Sequence, residues 1–148
     1  MVKLIVCSGE EIDGNRNKLW KNADHIDPYV KGATNWDLTL PQKLPRHKYT
    51  HILLEYCPIN VYYVYNEELY KKHLKQDILF RKTFWTNIFH LLKPSGQIRI
   101  EIAEKLFSAL QRKPRGKTWI SVFKNKLNEI HPVNVRRRGK AYIIRPKK

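Results

Sequence analysis

Glu55 is the residue whose neighbours most invite a chemical role. It sits in Tyr-Thr-His-Ile-Leu-Leu-Glu-Tyr (49–56), whose continuous apolar centre suits a strand buried on both faces. An unpaired buried carboxylate is costly, so Glu55 either faces a ligand or pairs with one of the many arginines. In the first case it can orient an acceptor group or take its proton. Tyr56 and Pro58 follow it, with Tyr62, Tyr63 and Tyr65 close behind. Such a tyrosine cluster either stacks on a flipped or single-stranded base or packs half-buried. Arg136-Arg137-Arg138 with Lys140, and Arg112-Lys113-Arg115-Lys117, either contact a polyanion or form solvated surface. The histidines and two cysteines show no zinc spacing, and His47 and His51 straddle a loop-to-strand junction. No metal site is expected.

The charge favours the polyanion. The chain carries 29 Lys and Arg against 13 Asp and Glu, a net +16 in 148 residues. From Ala103 onward there are 14 basic residues against two acids, Glu104 and Glu129. A basic flank beside a less basic cleft fits a nucleic-acid partner and a separate small-molecule site. Four Trp, eight Tyr and five Phe argue against a disordered basic tail. No apolar run approaches the ~20 residues that span a bilayer, so no membrane partner is expected. Met1 to Val6 reads as a strand rather than a signal peptide, which implies an intracellular protein of cytoplasm or nucleus. Cys7 and Cys57 are then expected to be reduced.

The elements that must hold these residues follow from hydrophobic pattern. Strands are expected at Val2–Val6, Trp20–Asp24, Ala33–Leu38, Tyr49–Tyr56 and Gln97–Ile102, with helices at Glu67–Lys75 and Ile78–Leu92. Lys93-Pro94-Ser95-Gly96 is a helix stop. Trp119–Ile130 is an amphipathic helix ended by Pro132. Val133–Val135 and Ala141–Ile144 make a hairpin turning at Arg138-Gly139-Lys140. With no repeats and no linker, residues 1–148 are expected to form one α/β domain.

This order, strand, glycine loop, acid-ended strand, Asp-Leu, buried strand, helix, Lys-Pro-Ser-Gly, strand, resembles the class I S-adenosylmethionine-dependent methyltransferases. Its most specific stretch is FWTNIFHLLKPSGQIRI (84–100), similar to the family's passage from fourth helix to fifth strand. A second is WKNADHIDPYVKGATNWDLTLPQKLP (20–45), similar to members in which a short loop separates the first two strands. The resemblance implies a Rossmann-like sheet, mostly parallel with a C-terminal antiparallel hairpin, and helices on both faces. It also implies S-adenosylmethionine as cofactor, bound where an open sheet binds ligands, at the carboxyl ends of strands. Cys7, Ser8 and Gly9 would meet its methionine part. Asp24 would accept hydrogen bonds from the ribose hydroxyls, with Asp27 the competing carboxylate. Asp37 and Leu38 would meet the adenine. Glu55 is the catalytic candidate, with Tyr56, Pro58 and Arg136, Arg137 and Arg138 on the substrate side.

The expected activity is methyl transfer, with nucleic acid as acceptor. The alternative is a catalytically inactive protein of this fold that binds nucleic acid or serves as a structural or partner subunit. The first loop, Cys7-Ser8-Gly9-Glu10, keeps one glycine where the family has two or three, which favours that alternative. A dinucleotide-dependent oxidoreductase is disfavoured because Gly-x-Gly-x-x-Gly is absent.

Overall fold

The computed structural model describes residues 2–6, 23–26, 36, 38–55, 78–102 and 119–147, with backbone alone for His25, Ile26 and Trp119. In chain order these form β1 (Lys3–Val6), β2 (Asp24–Ile26), β3 (Tyr49–Glu55), a 3-10 turn (Ile78–Phe80), α1 (Lys82–Leu91), β4 (Leu92–Glu101), α2 (Trp119–Ile130), β5 (Val133–Arg138) and β6 (Ala141–Pro146). Every one of these strands joins one six-stranded sheet of order β2-β1-β3-β4-β6-β5.

The sheet is mixed. β1 pairs in parallel with β2 and β3, and β3 with β4, whereas β6 is antiparallel to both β4 and β5. Three parallel ladders against two antiparallel ones correct the expectation of a mostly parallel sheet. The cause is local: Arg138 pairs with Ala141 across Gly139-Lys140, so the chain reverses at once into the slot beside β4. Among the described residues only Gly139 and His47 have positive φ, and Gly139 at 61° fills the first central position of a type II′ turn. The closing antiparallel hairpin was expected, with strands longer than the sequence pattern gave.

Period-two alternation divides the sheet faces. Leu4, Val6, Ile52, Leu54, Ile98, Ile100, Val133 and Ile144 point into the main core. There they meet Phe84, Trp85, Ile88 and Leu91 of α1 and Phe123 and Leu127 of α2, the i, i+3, i+4 positions that make each helix one-sided. Trp85 is fully buried, packs against Phe84, Phe89 and Phe123, and its indole N–H donates to the Leu79 carbonyl at 2.7 Å. Ile5, Leu53 and Ala23 form a smaller cluster on the opposite face. Both described helices therefore cover the same face. The expectation of helices on both faces is met on one, and the expected helix at 67–75 lies outside the described residues. No described helix is long and apolar enough to cross a membrane.

Two elements start or end elsewhere than expected. The helix read as Ile78–Leu92 is a 3-10 turn followed by α1, broken at Arg81. Lys93-Pro94-Ser95-Gly96, read as a helix stop, is an irregularity inside β4: Tyr49 pairs with Leu92 and His51 with Gln97, so β4 spends five residues where β3 spends two. Gly96 is required there. A Cβ on it would lie 2.6 Å from Leu92 Cδ1 and 2.8 Å from the Thr50 carbonyl oxygen.

Candidate functional site

A sheet whose strands run together gathers their carboxyl ends on one rim, and a ligand crevice opens where the strand order reverses. The chain passes from β1 to β2 on one side and then returns to β3 on the other. The reversal point is thus between β1 and β3. At this rim β1 ends at Val6, β2 at Ile26, β3 at Glu55 and β4 at Glu101. The β5–β6 turn, Gly139-Lys140, stands on the same rim because Arg138 and Ala141 are in register with Glu101.

Glu55 is half-buried and ends β3 at this rim. Its register partner on β4 is Glu101. Neighbouring strands are about 4.8 Å apart, and partners in register share a face, so the two carboxylates emerge side by side. Like charges placed so are unfavourable. Arg99, two residues back on the same face, answers Glu101 with Nε 3.2 Å from Oε1. Arg99 and Glu101 are 31% and 29% exposed, so this pair adds little stability. Arg99 is thus the arginine that Glu101 holds. The result is a paired acid able to accept hydrogen bonds from an amine or hydroxyl.

The basic strand extends the same surface. Arg138 is in register with Ala141 and Glu101, and Arg136 with Ile143 and Arg99. Arg136 and Arg138 therefore share a face with the two acids, while Arg137 points to the other face and donates from Nε to the Gly139 carbonyl at 3.1 Å. All three are exposed. Between Val133 and Lys147 there are six basic residues and no acid. From Glu55 to Arg138 is three strand spacings, about 14 Å.

Asp24 does not stand where the sequence pattern put it. The strand expected to end on it begins with it, because β2 runs Asp24–Ile26 and Asp24 pairs with Leu4. That is the opposite rim. There the Tyr49 hydroxyl donates to Asp24 Oδ2 at 2.7 Å, and Lys48 Nζ lies 3.6 Å from the same oxygen. Asp24 is a fastening between β2 and β3, not a strand-ending acid. Burial first, and then the Asp24 bond and charge, push the Tyr49 hydroxyl far above its ordinary pKa. On the same rim burial, and then the Lys3 ammonium, lower that of His51.

Leu38 is likewise displaced from its expected role. It lies in a turn rather than a strand, with a 4% exposed side chain in the main core. The buried Asn87 of α1 holds the turn by donating to the Leu38 and Leu40 carbonyls at 2.9 and 3.0 Å. Cys7, Ser8, Gly9, Asp27, Asp37, Tyr56 and Pro58 lie outside the described residues, as do Tyr62, Tyr63 and Tyr65. Sequence reasoning missed Glu101. Its signal was available in the alternation Gln97, Arg99, Glu101 against Ile98, Ile100 and Ile102, but its neighbour across the sheet was not.

No family model matches the chain, and no curated protein matches it. Among solved structures it is similar to the crystal structure of the PH0226 protein from Pyrococcus horikoshii OT3, with a TM-score of 0.40 and 12% identity, covering 85% of this chain and 60% of that one. The chain thus spans less than two thirds of that structure, and the likeness is a distant one of fold.

Proposed function

We propose that the chain is a class I methyltransferase-type protein that takes S-adenosylmethionine at the carboxyl rim and a nucleic acid as its acceptor. The single observation that carries this reading is the reversal of strand order at β1, with an acid pair and a basic hairpin on the same rim. The cofactor, when bound, supplies a methyl group on a sulfonium. The segments leaving Val6 and Ile26 would hold it, which makes Asp27, next after Ile26, the preferred ribose partner over Asp24. Methyl transfer needs alignment and shielding from water more than it needs a strong base. Glu55 and Glu101 would orient an acceptor amine or hydroxyl and, where required, hold its proton. Arg136 and Arg138, about 14 Å away across the rim, would hold the phosphate backbone that brings the acceptor in.

A second reading keeps the fold and the nucleic acid and drops the chemistry. It is favoured by the single glycine of Cys7-Ser8-Gly9-Glu10 and by six basic residues clustered on the closing hairpin. Calorimetric titration of S-adenosylmethionine and S-adenosylhomocysteine separates the two. Micromolar binding is expected, weakened about tenfold or more in Asp27→Ala, by the loss of hydrogen bonds to a charged group. Asp24→Asn, at the opposite rim, should leave it unchanged. Folded wild-type protein that takes up neither ligand overturns the methyltransferase reading and leaves the scaffold.

A further inference from the structure

Three of the histidines share a position that has nothing to do with the carboxyl rim. His47, His90 and His131 each stand two residues before a strand, ahead of β3, β4 and β5. Those three strands run in one direction, so their amino ends meet on one rim. There the three imidazoles, with Arg46, line an open pocket of about 430 Å³ whose other walls are Thr86, Phe89 and Ile130.

The pocket is built rather than incidental. His47 holds a left-handed backbone, φ 51°, rare for a residue other than glycine, and its N–H donates to the His90 carbonyl at 2.8 Å. His90 Nε2 lies 3.0 Å from the Leu44 carbonyl oxygen, and His131 Nδ1 lies 3.0 Å from that of Pro132. A carbonyl only accepts, so both of those nitrogens carry hydrogen. Phe89 stacks on His131 with ring centroids 4.7 Å apart.

We propose that this amino-rim pocket binds a nucleotide, gripping its phosphate with Arg46 and setting its base among the imidazoles, Phe89 and Ile130. The lining contains the Arg46 guanidinium and no carboxylate. Of the charged groups on the adjoining elements, Lys48 is turned to Asp24 and Glu129 to Lys126, while Lys93 and Lys147 are exposed. The volume falls within the range of small-molecule sites, and an aromatic and an aliphatic wall suit a flat heterocycle. This inference stands on the opposite rim from the methyltransferase reading and does not depend on it.

The test is titration of adenosine 5′-monophosphate, inorganic phosphate and adenosine into the full chain. The mononucleotide should bind more tightly than either fragment. Arg46→Ala should weaken it about tenfold, the loss of one charge-assisted hydrogen bond, and His131→Gln by a smaller factor. Arg138→Ala should not. Competition with a short 5′-phosphorylated oligonucleotide and its 5′-hydroxyl twin decides the source. Displacement by the phosphorylated strand alone assigns a strand end, and displacement by neither assigns a free nucleotide. No binding to folded protein, binding undiminished in both variants, or phosphate bound as tightly as the nucleotide overturns the proposal. S-adenosylmethionine binding, read separately, should be the same in Arg46→Ala as in the wild type.

Discussion

At the amino rim Tyr49 is tied to Asp24, His47 to the end of α1, and Thr50 to the Val2 carbonyl at 2.9 Å. At the carboxyl rim two acids, Glu55 and Glu101, stand in register, and Arg99 pairs with Glu101 along its own strand. The first rim joins elements far apart in sequence, and the second exposes like charges to one another. Bonds of the first kind stabilise. Arrangements of the second kind cost stability and persist where they serve a ligand. Three substitutions can break or sharpen this contrast between a tied rim and a charged one.

Gly96→Ala should have the largest effect. Its Cβ would press on Leu92 and on the Thr50 backbone, where β4 takes its extra residues. Urea unfolding should show a loss of about 1–3 kcal/mol. A neutral result would mean the amino rim yields easily, and the contrast would fail.

Tyr49→Phe should come next, losing about 1 kcal/mol with the hydrogen bond to Asp24. It should also change the response to alkali. The folded protein holds the hydroxyl well above its ordinary value, chiefly by burial. Its stabilising contribution is therefore complete below the unfolded pKa, about 10, and is lost as pH rises toward the folded one. Thermal unfolding followed from about pH 9 to about pH 11 should fall more steeply for wild type than for Tyr49→Phe. Parallel curves would show that the Tyr49–Asp24 tie is not made in solution.

Glu101→Gln should have the smallest effect on stability, within about 0.5 kcal/mol, since a pair this exposed is well screened. It sharpens the comparison because relief from Glu55 offsets the loss of Arg99. A loss comparable to that of Gly96→Ala would move the carboxyl rim into the stabilising half of the molecule.

Much of the frame was legible in the sequence. The apolar run at 49–55, the one-sided pattern of 119–130 and the glycine turn at 139 each specify their element locally, and each is observed. What failed depended on partners. Asp24 reads as a strand-ending acid because Trp20 to Asp24 is apolar enough for a strand; nothing nearby in sequence announces Tyr49, 25 residues later, as its hydrogen-bond donor. Leu38 reads as a strand residue until Asn87 is found holding its carbonyl. The three histidines of the amino rim lie too far apart in sequence for any motif. Only a sheet that brings the starts of β3, β4 and β5 together makes them neighbours.

β5 forms one edge of the described sheet, so a row of its backbone N–H and C=O groups has no neighbouring strand. Such an edge is an invitation to self-association. Here three successive guanidinium groups occupy its end, so two copies laid edge to edge would have to bring six of them together. The arginines therefore act as a colloidal brake. A polyanion that neutralises them releases that brake, which makes the order in which salt, nucleic acid and protein are mixed a determinant of whether the preparation stays dispersed.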